Sequence, residues 1–484
     1  VPYERLSSQD ATLLCAEDPA APLQIGALCL FEARPLLDEA GRLRMDELRA
    51  HIVNRLDGVP RFRQRLRPIP FGQGRPVWVD DPSFDIADHV RAAALPRPGG
   101  PAQLRAFMAA LLEVPLDRSR PLWELWFVEG VEGDRIAVVP KVNHVMADGM
   151  AVLEFALSLL AGEPGEPGEP GEPGEPGEPG EPPPPWVPQA PPASCRLLVE
   201  AVADRARCRI GVGRRAVAAL GHPARLVDGV RTLAKAVTLT AVPAPKLAIT
   251  RSVGPHRDFA WVALALEDLR AVGRTQGATL NDVVLAVVAG ALDDYLGIGP
   301  GPSDVRPRVL VPVSTHRRPG ELQNRFSMMI VGLPPSTSDP IDRLKATHLD
   351  MAARKTSGQT TIGPLVFALG ELVAPWVLRA LAAMVLKRQP FANLAVTNLP
   401  GTDGPAYLLG SRMLELFPFV TVAGNIALII GVLSYDGTLG VGLTADADAI
   451  VDLDRFAEAI ERSALELVAG ELPGSPSVPA QGFH

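Results

Sequence analysis

The chain has 484 residues, 47% hydrophobic and 21% charged, enough length for roughly two or three domains and a sizeable core. Its net charge is −8, but residues 162–182 repeat Gly-Glu-Pro seven times and hold seven Glu and no Lys or Arg, so the remainder is nearly neutral. That balance excludes a protein held on nucleic acid by a net basic surface. Cys15, Cys29, Cys195 and Cys208 lie far apart with no CxxC spacing. They form neither a zinc site nor a disulfide framework, and a reduced cytoplasmic setting is expected. The N-terminal VPYERLSSQDATLL lacks the basic-then-apolar layout of a secretory signal.

In chain order, Leu23–Glu32 reads as a buried strand, Gln103–Leu112 as a helix, Arg135–Val142 as a second buried strand and Met150–Leu160 as a helix. The Gly-Glu-Pro repeats run on into PPPPWVPQAPP, so 162–192 carries thirteen prolines and no core pattern. An extended, solvated and disordered linker is the expectation, in preference to a collagen-like triple helix. It divides the chain into 1–161, the linker 162–192, and 193–484.

After the linker, Cys195–Val237 is helical, with nine Lys or Arg against Glu200, Asp204 and Asp228. Leu280–Leu296 reads as a helix, Arg308–Pro312 as a strand and Gly363–Lys387 as a long apolar helix. Gly431–Thr444 reads as a hairpin turning at Asp436-Gly437, and Leu453–Val468 as a closing helix. The most apolar stretch, Leu416–Tyr435, is broken by Pro418, Gly424 and Asn425 and predicts paired buried strands rather than a membrane span. Strands and helices interleave in both halves, which indicates α/β layers.

No GxSxG elbow, HExxH or Walker loop occurs, and Gly211-Val-Gly213-Arg-Arg-Ala216 lies in a helical stretch rather than after a strand. One segment retains chemistry: Lys141-Val-Asn143-His144-Val-Met-Ala-Asp148-Gly149. A β-run delivers His144 at its end, where a neutral imidazole suits a general base acting on an alcohol. Asp148 would fix local geometry through an ion pair. The residues alone leave a structural histidine with a turn Asp-Gly open as an alternative. A metal site would need a third ligand, and none is near in sequence. Arg61, Arg63, Arg65 and Arg67 alternate with uncharged residues, so a strand there would carry one basic face. By themselves these residues fit a solvated strand edge blunted by charge.

The sequence also holds Pro115-Leu116-Asp117-Arg118-Ser119-Arg120, Pro121-Leu122-Trp123-Glu124, Leu280-Asn281-Asp282-Val283, Pro312-Val313-Ser314, Thr397-Asn398-Leu399-Pro400-Gly401 and Ser434-Tyr435-Asp436-Gly437, besides the N-terminal LSSQDATLLCAEDPAAPLQIGALCLFE. In this order, and with the His144 segment between them, they resemble the bacterial wax ester synthase/diacylglycerol acyltransferase family from about Leu6 to Val468. The resemblance implies two α/β domains like chloramphenicol acetyltransferase and condensation domains, meeting at a cleft crossed by a solvent channel. It implies an acyl-CoA-dependent O-acyltransferase that forms wax esters or triacylglycerol from long-chain alcohols or diacylglycerol. Acyl-CoA is then a co-substrate, with no permanently bound cofactor or metal. The family motif is HHxxxDG, and its second His, the base, falls on His144; Asp148 and Gly149 fall on its Asp and Gly. The resemblance implies an Arg partner for Asp148, for which Arg63 is the candidate among Arg61, Arg63, Arg65 and Arg67, and these arginines could instead meet the phosphates of coenzyme A. Asn281 and Asp282 match an Asn-Asp pair near the active centre, and Asn281 is a candidate oxyanion donor.

The first motif His is Asn143 here. Asn donates and accepts hydrogen bonds but cannot act as a base, and activity is expected to survive. Two rival readings are a same-fold acyltransferase with another alcohol or a carrier-bound donor, and a catalytically weakened lipid-binding homologue. The lipophilic acceptor, with the basic Cys195–Val237 and apolar Gly363–Lys387 segments, implies a cytoplasmic protein attached peripherally to a membrane or lipid-droplet surface.

Overall fold

The computed structural model describes residues 3–18, 21–146, 186–220, 243–298, 305–314, 326–334, 339–356 and 389–471. Its strands in chain order are β1 (Glu4–Arg5), β2 (Gln24–Glu32), β3 (Gln64–Arg67), β4 (Val77–Asp80), β5 (Val90–Ala94), β6 (Trp123–Val131), β7 (Arg135–Asn143), β8 (Arg257–Ala265), β9 (Arg308–Ser314), β10 (Phe326–Gly332), β11 (Leu394–Thr402), β12 (Tyr407–Leu408), β13 (Ser411–Val420), β14 (Leu428–Tyr435) and β15 (Thr438–Asp446). They form a first six-stranded sheet ordered β12-β13-β2-β7-β6-β5, a second ordered β10-β9-β11-β14-β15-β8, and a small sheet β1-β4-β3. The α/β layering expected from the sequence is present.

Burial explains which runs became strands. In β7, Ile136, Val138 and Val142 enter one core while Ala137 and Val139 enter another. A run apolar at nearly every position therefore has a packed layer on both faces. The Pro101–Glu113 helix fills one of these layers with Leu104 and Met108. The second sheet buries Val432 and Leu443 against the Leu266–Thr275, Leu280–Leu296 and Leu453–Glu471 helices. The Leu280–Leu296 helix has the predicted limits because Thr279 caps its start and Gly297, left-handed at φ 65°, ends it. The predicted hairpin is formed by β14 and β15. Asp436 and Gly437 both adopt positive φ (42° and 78°), as a tight two-residue turn between twisted strands requires. Among the described residues no single helix is long and apolar enough to cross a membrane.

Leu416–Tyr435 yields two buried strands, but they are not paired. β13 joins the first sheet beside β2, and β14 joins the second between β11 and β15. The chain crosses between sheets at 421–427, a move that hydropathy does not record. Sheet membership accordingly cuts across the sequence division at the linker, since β12 and β13 come from the C-terminal part and complete the N-terminal sheet. The two sheets touch backbone to backbone where β13 passes over β14 and β15. A Cβ at Gly440 would lie 2.1 Å from the Leu416 carbonyl oxygen, and one at Gly442 would lie 1.9 Å from that of Pro418. Edge-to-face packing of Phe259 on Phe419, with centroids 5.3 Å apart, borders the contact.

The proline-rich tract is not solvated throughout. Trp186 packs edge-on to Phe84 at 6.3 Å and under the Arg63 guanidinium at 5.3 Å, and the Gln189 N–H donates to Asp80 Oδ2 at 2.9 Å. The aromatic area and the cation–π contact of one residue suffice to dock this end of the tract. The Gly-Glu-Pro repeats, the helix expected at Met150–Leu160, residues 221–237 and Gly363–Lys387 lie outside the described residues.

The glycine contact leads to a direct expectation. Gly442→Ala should destabilise by about 3 kcal/mol or more, because the methyl must displace main chain rather than a side chain. Gly58→Ala, where an added Cβ meets nothing within 4 Å, should leave the denaturant midpoint unchanged. Equal midpoints for the two variants would refute the role given to the contact.

Candidate active site

β7 lies inside the first sheet, between β2 and β6, and ends at Asn143. His144, Val145 and Met146 then turn away from the strand. Val145 and Met146 are buried and draw the turn inward, leaving His144 half-buried. The turn is fixed through its backbone. The His144 N–H donates to the Leu23 carbonyl (2.8 Å), the Asn143 N–H to that of Leu122 (3.0 Å), and the Met146 N–H to that of Asn143 (2.9 Å). An imidazole at such a turn is held by its main chain, and its ring can face a reactant.

The Asn143 side chain completes this frame. It is buried, its Nδ2 donates to Glu17 Oε1 at 3.0 Å, and its Oδ1 accepts the Val145 N–H at 3.1 Å. Asn143 is thus a loop support. Glu17 in turn accepts the Leu23 N–H (3.2 Å) and pairs with Arg118. Sequence reasoning did not single out Glu17. It lies in the N-terminal segment resembling the family, but nothing in a single sequence separates it from Asp18 beside it.

The Pro-Leu-Trp-Glu box borders the same strand end. The Leu122 carbonyl receives the Asn143 N–H, and Trp123 pairs with Val142. Trp123 is buried, donates Nε1–H to the Phe62 carbonyl at 2.8 Å, and stacks on His89 at 4.7 Å. Burial holds the His89 imidazole below its ordinary pKa. Glu124 faces Lys141, whose nearly inaccessible ammonium is pulled down from the usual lysine range by burial, with the nearby carboxylate opposing that shift. These contacts make the box a brace for β7.

The four alternating arginines do not form one strand face. Pro60–Arg63 is a 3-10 turn and only Gln64–Arg67 is extended, because Pro60 starts a helical turn instead of a strand. Arg61 pairs with Glu4 and lies over the Trp78 ring at 4.3 Å. Arg63 is buried and bonds Asp57 and the Val53 carbonyl. Arg65 reaches the Ser119 carbonyl, and Arg67 the Ser194 hydroxyl. Asp148 and Gly149 lie outside the described residues, so the expected Arg63–Asp148 pairing does too.

Asn281 and Asp282 begin the Leu280–Leu296 helix. The Asp282 N–H donates to Thr279 Oγ1 (3.3 Å), the Thr279 N–H donates to Asp282 Oδ2 (2.9 Å), and His348 Nδ1 is 2.8 Å from the same oxygen. Asp282 is a buried reciprocal cap. This helix packs on the second sheet, so the structure carries Asn281–Asp282 and Asn143–His144 on separate layers. The later motifs hold strands together: Ser434 Oγ accepts the Gly401 N–H at 3.1 Å, and the Tyr435 hydroxyl donates to the Met413 carbonyl at 2.8 Å. Burial pushes the Cys29 thiol up to about 12, which removes it as a nucleophile.

Comparison with known proteins agrees with this arrangement. The family described as the wax ester synthase/diacylglycerol acyltransferase catalytic domain matches residues 6–284, and the WS/DGAT C-terminal domain matches residues 322–467. A Mycobacterium tuberculosis protein named probable diacylglycerol O-acyltransferase is 32% identical over 471 residues, covering 96% of each chain. A Mycobacterium bovis relative at 32% identity, again covering 96% of each chain, bears the same activity in its name. Among solved structures, the wax ester synthase/diacylglycerol acyltransferase from Marinobacter aquaeolei VT8 superposes with a TM-score of 0.66 at 23% identity, covering 96% of this chain and 98% of that one. The first condensation domain of the CDA synthetase gives 0.60 at 14% identity, covering 97% and 96%. The two-domain acyltransferase-like fold expected from the sequence is therefore present.

Neutral imidazole also offers one donor and one acceptor, so Asn143→His should retain both side-chain bonds and leave stability and turnover equal or higher. Asn143→Leu strips the Val145 N–H of its side-chain partner and should cost about 1–3 kcal/mol. Thermal unfolding of the two variants tests this, and a folded but inactive Asn143→His protein would contradict the support role.

Proposed function

The chain belongs to the wax ester synthase/diacylglycerol acyltransferase family, and from that premise we propose that it joins an acyl group from acyl-CoA to a lipophilic alcohol, with His144 as general base. The imidazole takes the hydroxyl proton as the alcohol oxygen attacks the thioester carbonyl. The tetrahedral intermediate collapses with loss of the coenzyme A sulfur, which leaves as thiol after receiving a proton from the imidazolium. The ester is wax ester when the alcohol is a long-chain alcohol and triacylglycerol when it is diacylglycerol. Direct transfer needs no acyl-enzyme. Asp148 and Gly149 take the Asp and Gly positions of the family motif, and donors to the oxyanion complete the site.

The observation that supports this reading is the placement of His144 one residue past a central strand, its N–H tied to Leu23 and the preceding Asn143 tied to Glu17 and Val145. That framework also speaks against a weakened, binding-only homologue, because the replacement of the first motif His leaves a fully bonded support.

His144→Ala should lower coenzyme A release from a long-chain acyl-CoA by about a hundred- to ten-thousand-fold with the fold intact. Near wild-type turnover in a folded variant would remove His144 from the mechanism. Running the wild type with hexadecanol, with diacylglycerol and without acceptor separates the two ester products from plain thioester hydrolysis.

The same acceptors dissolve in bilayers, so the enzyme works attached to a lipid surface. Supporting this, the Ser194–Leu220 helix buries Leu197 and Ala201 and exposes Val199, Val202 and Ile210 on its opposite side, with Arg196 and Arg207 alongside. An apolar stripe edged by arginines suits an anionic interface. Flotation with liposomes should rise with anionic lipid content and fall with salt. Identical recovery under every lipid and salt condition would reject the attachment.

A further inference from the structure

The glycine contact between the sheets ends at a crevice. Gly440, Gly442 and Thr444 alternate along β15 and share one face. That face carries no side chain where β13 lies on it and regains one where β13 stops at Val420. The chain then peels away, leaving a gap lined by Gln24, Leu112, Phe259, Phe419, Thr421 and Thr444, among others. Gln24 is the first residue of β2 and the partner of Asn143 across the ladder. The carbonyl of the residue before it, Leu23, holds the His144 N–H.

Two side-chain oxygens in this gap, Gln24 Oε1 and Thr444 Oγ1, are buried with no hydrogen-bond partner from the protein, and each residue is only 2% exposed. Gln24 cannot rotate to relieve its own oxygen. Its Nε2 is committed to the Val114 carbonyl at 2.8 Å and its N–H to Thr421 Oγ1 at 3.1 Å. Buried amide and hydroxyl oxygens in native proteins are satisfied by protein or by ordered water. The free space here is on the scale of a single water molecule.

We propose that one ordered water occupies this crevice, donating to Gln24 Oε1 and accepting from the Thr444 hydroxyl. The water links the end of β15 in the second sheet to the strand end from which the His144 turn departs. It is a joint between the two halves, made where the backbone contact runs out.

Thr444→Val tests the site by the sign of its effect, because the side chain keeps its shape and loses only the hydroxyl. With a bridging water present, the substitution removes one of the water's partners and should lower the Tm by about 1–2 °C. If the Thr444 oxygen has no partner, the same substitution relieves an unsatisfied buried group and leaves the Tm unchanged or higher, which overturns the proposal. The substitution is repeated in a Gln24→Met background. There the bridge is already broken, so Thr444→Val should have little further effect, whereas an equal drop in both backgrounds would exclude a shared water. Should Gln24→Met fail to fold, a crystal structure of the full chain decides: density for a water within hydrogen-bonding distance of both oxygens supports the site, and its absence in a well-ordered crevice refutes it.

Discussion

The rest of the structure depends on the close passage of β13 across β14 and β15. Two sheets normally stand about 10 Å apart with side chains between them. Here the carbonyls of Leu416 and Pro418 occupy positions that Cβ atoms of Gly440 and Gly442 would fill. The two halves are therefore joined at main-chain distance along one line, bordered on the β8 side by the Phe259–Phe419 and Trp261–Phe417 pairs. β13 hydrogen-bonds to β2, and β2 to β7. The strand carrying His144 is thus located relative to the second sheet through two ladders and one backbone contact, without flexible intermediaries.

The motifs that mark the chain's family acquire physical meaning from this frame. Tyr435 reaches across to the Met413 carbonyl and Asp436 to Arg412, so both pin the start of β13 to the second sheet. Trp123 fixes β6 against Phe62 and His89, and β6 borders β7. Asp282 caps a helix. Of the described motif residues, only Asn143 and His144 stand in the strand-end turn itself. Trp123, Asp282, Ser434, Tyr435 and Asp436 secure the layers that present it.

Much of this was legible in the sequence, and the omissions have physical causes. β7 and the Leu280–Leu296 helix were readable because each has local signals at both ends: an apolar run into a polar turn, and a Thr cap with a terminal Gly. The Asp436-Gly437 turn is likewise local chemistry. The sheet to which β13 belongs was not readable, because an all-apolar strand satisfies either sheet and only the glycine spacing in its distant partner discriminates. The bond from Asn143 to Glu17 spans 126 residues, and no periodicity carries such a pairing. Trp186 was hidden by its surroundings: a proline-rich composition argues for solvation, while one large ring is enough to overrule it locally. The alternating arginines misled for the opposite reason, since period-two spacing suggests a strand but Pro60 sets a helical turn first.

Strand exchange across the chain also bears on how the protein is made. β2 and β7 are complete once Asn143 has been added, yet β2 has an open edge until β13 follows, about 280 residues later. At typical elongation rates that is a delay on the order of tens of seconds. During it the nascent N-terminal sheet presents an unpaired strand with buried-type residues such as Cys29 and Phe31, an invitation to pairing with other chains. The N-terminal sheet closes only after β13 has emerged, which makes this architecture dependent on protection of that edge during synthesis and resistant to recombination at the linker.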